Sequence, residues 1–205
     1  MNKKRKKEVQ KNRILVIGLI IIVLGVVVFF HTRPKLQVVS VVSKIEDYDY
    51  YIESNATKVY KKYYKELEDE LSDNKIDEVK YAKLVSKLFI IDYYSLNNKV
   101  TNKDIGGVQF IHSELKDKFI IESSNTIYKY VKNNLYGMRK QKLPEVSNVE
   151  IESVENIKYK NSGLKDDNSY KVKAKINYIK NYDYPNELQL ILIHENNKLV
   201  IVEFE

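Results

Sequence analysis

His31, His112 and His194 are the only imidazoles in the chain, and no cysteine accompanies them. A metal centre needs several such ligands at matched spacing, for instance two histidines four apart on one helical face. None of the three has a histidine or acid placed that way, so the sequence assigns no metal ligand. "DIGGV", with Gly106 and Gly107, contains a fragment of a phosphate-cradling loop. It lacks the third glycine, the Lys-Ser/Thr pair and a preceding strand, and reads as a turn entering a helix. The acid pairs Asp47/Asp49 and Asp166/Asp167 offer oxygen to a hard cation, yet not in the order of a calcium loop. Solvated turns account for them. No catalytic residue and no cofactor-binding residue is assigned, and a non-enzymatic role without cofactors is expected.

Charge is the other chemistry on offer. In "YKVKAKINY" strict alternation puts Lys171, Lys173 and Lys175 on one face of a strand and Tyr170, Val172, Ala174, Ile176 and Tyr178 on the other. The lysine row is a candidate partner surface, or else a solvated face or an edge protected against aggregation. The 17 tyrosines suit core and boundary positions with wet hydroxyls.

The net charge of +7 is unevenly distributed. Residues 1–30 hold seven Lys/Arg against Glu8, a balance of +6, so the remaining residues sum to +1. A balanced domain lacks the basic footprint that a phosphate backbone requires, and no nucleic-acid partner is expected.

That basic cluster abuts the longest apolar run, 17 residues from Ile14 to Phe30. As a helix the run is about 25 Å long, slightly short of the ~30 Å hydrocarbon layer. Arg13 and Arg33 can snorkel to the two headgroup layers and serve as interface anchors. A soluble helix in so small a domain would show a polar stripe, and this run has none. A cleaved signal peptide is the rival reading. However, "HTRPKLQ" offers no small-x-small cleavage site, and the absence of cysteine rules out a lipoprotein anchor. Positive-inside bias then keeps residues 1–13 in the cytoplasm, makes 14–32 the span and places the rest outside. The lipid bilayer is the first partner named by the sequence.

Residues 33–45 read as a stalk or first strand, and 46–205 as one extracytoplasmic α+β domain. A helix capped by Ser54 or Asn55 carries Val59, Tyr60, Tyr63, Leu67 and Leu71 at helical spacing. A second, nearly all-apolar helix runs from about Ile76 to Leu96 with Asn74 as a cap. A third helical region spans about Val108 to Val131, with 123–125 as a candidate break. The period then changes. A strand around Val149 and Ile151 slips phase near Ser153–Val154, which predicts a bulge. "KNSGLKDDNS" reads as a flexible insert before the "YKVKAKINY" strand. A closing hairpin turns at Asn196-Asn197. The expected fold is α+β: about three helices on a curved antiparallel sheet of three to four strands.

With that order the chain resembles the cystatin-like cone of nuclear transport factor 2-like domains. Tail, single span and external domain together resemble inner-membrane subunits of type IV secretion and conjugation machines. A single anchor, a balanced charge and the lack of catalytic clusters make an external interaction or scaffold module the expected role. The resemblance implies an envelope-complex subunit meeting other membrane or envelope proteins, with a homo-oligomer left open. The alternative is a small-ligand or sensing domain using a pocket between sheet and helices. A bias to Lys over Arg (31 against 4) with abundant Asn, Ile and Tyr is that of a low-GC bacterial genome.

Overall fold

The computed structural model describes residues 3–32 and 35–205. It separates into two compact units, Met1–Leu36 and Gln37–Glu205. In the first, α1 (Lys3–Thr32) is one unbroken helix. Its Leu15–Thr32 window has a mean hydropathy of 2.8 and none of it is buried, so it is long and apolar enough to cross a membrane. Arg13 is exposed, and Arg33 lies outside the described residues.

The second unit is α+β. Two short strands, β1 (Val41–Ile45) and β2 (Tyr50–Glu53), form an antiparallel pair of their own. Helices α2 (Lys58–Leu71), α3 (Glu78–Tyr94) and α4 (Lys116–Asn125) follow. The chain closes with β3 (Val146–Asn161), β4 (Leu164–Tyr178), β5 (Glu187–Glu195) and β6 (Lys198–Phe204), antiparallel in the order β3-β4-β5-β6.

Helices α2 and α3 begin where a side chain can take up free backbone amides. Thr57 caps α2, its hydroxyl accepting from Tyr60 N at 3.2 Å. The expected caps are engaged elsewhere: Ser54 Oγ accepts from Ser40 N, and the Asn55 amide donates to Asn98 O. Asp77, not Asn74, caps α3, accepting from Val79 N and Lys80 N at 3.0 Å. A carboxylate there also meets the positive end of the helix dipole.

The third helical region is shorter than its apolar spacing suggests. Two 3-10 turns, Val108–Phe110 and Ser113–Leu115, precede the ten-residue α4. Between them Ile111 is extended and bridges Ile201 in parallel, while His112 N donates to Ile201 O at 3.0 Å. This stretch covers part of the free edge of β6, which outweighs its helical pattern.

The supposed insert at 160–169 is also corrected. β3 and β4 run straight through it as a long hairpin, paired to Asn161↔Leu164 around a turn at Ser162 and Gly163 with φ of 51° and 86°. Register shifts occur between Ile151 and Ser153 and between Ile157 and Tyr159, the first where the phase slip predicted a bulge. The hairpin tip reaches β6, where Tyr159 Oη and Asn161 Nδ2 donate to Glu203 at 2.8 and 2.9 Å. A small apolar cluster of Tyr159, Ile193 and Val200 lies beneath it.

The main core lies between α3 and the other sheet face. Leu88, Phe89, Ile90 and Ile91 of α3 and Val172, Leu190, Leu192 and Ile201 of the sheet are completely buried. Phe89 packs 5.5 Å from Tyr93 and 5.3 Å from Phe204, and Tyr93 lies 5.2 Å from Phe119. At these centroid separations aromatic rings attract beyond simple area burial. The space between α3 and the sheet is filled with side chains.

Candidate functional site

The lysine row lies on the sheet face turned away from α3. Val172, Ala174 and Ile176 between the lysines are at most 2 % exposed, whereas Lys173 and Lys175 are exposed and Lys171 is half-buried. Neighbouring strands set what the row meets. Lys171 stands opposite Glu155 on β3, Lys175 stands between Glu150 on β3 and Glu187 on β5, and Lys173 stands between Ser153 and Gln189. Cross-strand neighbours of opposite sign stabilise a pair and cancel its outward field. The row is therefore part of a mixed face.

His112 and His194 make contacts within the fold, and His31 is exposed near the end of α1. His112 is buried, its Nδ1 accepts from Glu114 N at 3.3 Å, and its Nε2 lies 3.6 Å from Glu195. His194 sits between two carboxylates, with Nδ1 2.8 Å from Asp166 and Nε2 3.4 Å from Glu78. Burial opposes the Asp166 charge, but the backbone amides of Asn168 and His194 and the His194 ring outweigh it and hold its pKa low. Asp166 is thus a hairpin fastener and no loose turn acid. The Ser113 hydroxyl and backbone N–H both donate to Glu195, which ties this turn to the end of β5. Among the described residues no three His, Cys, Asp or Glu side chains are grouped to hold a metal ion.

Gly106 and Gly107 pack against Asp92 of the protein itself, and Gly107 holds its carboxylate. Gly107 N donates to Asp92 Oδ2 at 2.7 Å, and Gly106 N donates to the Tyr128 hydroxyl at 3.0 Å. A side chain at Gly106 would collide with the Asp92 carbonyl, 2.1 Å from where its Cβ would be. The other Asp92 oxygen accepts from Lys99 Nζ at 2.6 Å, and Lys99 is 1 % exposed. Burial disfavours the Lys99 ammonium, but Asp92, Asp104 and Glu53 outweigh it and raise its pKa. Beside this knot is a cavity of about 10 Å³ lined by Glu53, Tyr60, Asp92, Asn98 and Gln109. It is of the order that one water occupies.

The chain matches no family model, no curated protein and no solved structure at a significant level. The site must be argued from its own residues.

One region was missed by periodicity. Residues 123–144 contain Lys129, Lys132, Arg139, Lys140 and Lys142 and not one acid. The local charge count was the available signal, hidden inside a domain that sums to almost zero. The loop from Lys129 to Lys142 is held in shape. Arg139 is turned inward, donating to the carbonyls of Asn97, Lys99 and Lys132 at 2.7, 2.8 and 3.1 Å. Gln141 accepts from Lys132 N at 2.8 Å and donates to Tyr130 O at 2.9 Å, while Asn134 N donates to Val100 O at 2.7 Å. The four lysines are exposed. Tyr130, Tyr136 and Met138 stand out among them, 74, 53 and 66 % exposed.

Proposed function

We propose that the chain is a single-pass membrane protein, anchored by α1 with residues 1–13 in the cytoplasm, whose domain works outside as an interaction or scaffold module. The supporting observation is the wholly uncovered apolar surface of Leu15–Thr32. In water it would be unstable by about 25 cal/mol for every Å² left unburied, whereas lipid covers it. The run of 17 apolar residues and the absence of a cleavage signal favour a retained anchor over a removed leader. Basic residues before the helix set its orientation.

An interaction role is favoured over ligand binding because aromatic and aliphatic side chains fill the space between α3 and the sheet, and the grooves beside α4 are shallow and open to solvent. Helices placed before a four-stranded antiparallel sheet remain compatible with the nuclear transport factor 2-like layout, and with an envelope-complex subunit of secretion or conjugation type. The partners in this reading are the bilayer and other envelope proteins, with a homo-oligomer as one arrangement. The test is protease added to intact protoplasts carrying the full chain. Digestion of the domain with a protected N-terminal fragment supports the reading. A protected domain overturns it, as does a mature protein starting near residue 35.

A further inference from the structure

The basic loop has a feature that the lysine row lacks: it is fastened to the chain just beyond α1. Gln37 N donates to Leu135 O at 2.6 Å. Only four residues lie between Gln37 and Thr32, the last residue of α1, and the five steps from one to the other span at most about 18 Å. Gly137 turns with φ of 68°, and a Cβ there would come within 3.1 Å of the Gln37 amide. The tip of the loop is thus fitted closely against Gln37.

The composition of the exposed side matches one kind of surface. Lysines gain roughly five-fold each in partitioning when they approach a negatively charged bilayer. Tyrosine is enriched at the headgroup level, where its ring and hydroxyl find different surroundings. Lys129, Lys132, Lys140 and Lys142 make no ion pair among the described residues. Since Arg139 is turned inward, these lysines form the loop's outward charge. The inward bonds of Arg139, Gln141 and Asn134 fix the backbone beforehand, so little ordering remains to be done on contact.

We propose that the loop Lys129–Lys142 is a membrane-surface contact, in which its four lysines meet the phosphates of anionic lipids and Tyr130, Tyr136 and Met138 enter the headgroup layer. This rests on the reading that α1 spans the bilayer. The contact would hold the external domain in one attitude to the membrane, leaving other faces for protein partners.

The full chain contains no cysteine, so Met138→Cys gives a single thiol for an environment-sensitive dye. The labelled chain is reconstituted into vesicles of phosphatidylcholine alone, or mixed with phosphatidylglycerol. Both leaflets are alike, so mixed insertion does not blur the result. The expected result is a blue-shifted dye, quenched by headgroup nitroxide lipids, in the mixed vesicles only. Salt should reverse the shift. Changing Lys129, Lys132, Lys140 and Lys142 to Gln should abolish it while leaving the thermal melt in place. A dye at Lys173→Cys should stay in water throughout. A Met138 dye that stays in water in both vesicle types overturns the proposal, as does one quenched equally in both or unmoved by the fourfold change. An alkaline wash of the same vesicles reports the anchor separately. A chain that washes off contradicts the span, and its loop dye still reports any contact with added anionic vesicles.

Discussion

The lysines of β4 and the lysines of the 129–142 loop carry the same charge and, Lys171 apart, are exposed, yet they face different surroundings. Lys171 and Lys175 look across the sheet at Glu155, Glu150 and Glu187. The loop lysines have no acid between residues 123 and 144. Strand alternation reveals where a side chain points. It is silent about what a neighbouring strand, 12 to 25 residues away in sequence, places opposite. A stretch without acids carries its sign wherever it folds.

Several substitutions would break or sharpen this contrast. The largest effect belongs to the covered side of β4. Ile176 is 2 % exposed, and Ile176→Asp should abolish the cooperative melt, because an unpaired carboxylate there costs several kcal/mol, about half or more of a typical domain's stability. A mutant melting like the parent in circular dichroism would mean that the strand faces are reversed.

Next comes the fastening of the loop. Arg139→Gln removes charged hydrogen bonds to the carbonyls of Asn97 and Lys99 and should cost about 1–3 kcal/mol. Hydrogen exchange should accelerate from residue 129 to 142 while the α3 core stays protected. If protection were unchanged, the loop would owe its shape to something else.

The smallest effect is expected at the lysine row itself. Changing Lys171, Lys173 and Lys175 together to Gln should shift stability by less than about 1 kcal/mol per site, since exposed pairs contribute little. The same variant in membrane pull-downs asks whether the mixed face meets an acidic partner. A partner lost with folding intact makes the row a docking surface. An unchanged set of partners leaves it a solvated sheet face.

Much of the architecture was legible because it followed one period at a time. The inner face of β4, the bulge after Ile151 and the hairpin at Asn196, whose φ is 60°, are all local patterns. What was not legible depended on partners distant in sequence. Ile111 and His112 carry a helical pattern, but the bare edge of β6, about 90 residues later, draws them into extended pairing. Residues 160–169 read as a flexible insert, because the side chain that secures the hairpin, Tyr159, lies just before them and packs on Ile193 and Val200, which are distant in sequence. Asn55 and Ser54 have the chemistry of helix caps but are occupied by Asn98 and Ser40. The Asp92–Lys99 knot had no sequence signature: Gly106 and Gly107 read as a turn entering a helix, and nothing local shows that the Gly107 N–H holds a carboxylate of the same chain.

The anchored topology is tested most directly by fusing alkaline phosphatase, which becomes active only where its disulfides can form, to either end of the chain in a bacterial host. The account predicts activity from the fusion after Glu205 and none from the fusion before Met1, with the active protein retained in the membrane at full length. Activity from the N-terminal fusion would contradict it. So would an active C-terminal fusion released in soluble form with its N-terminus near residue 35.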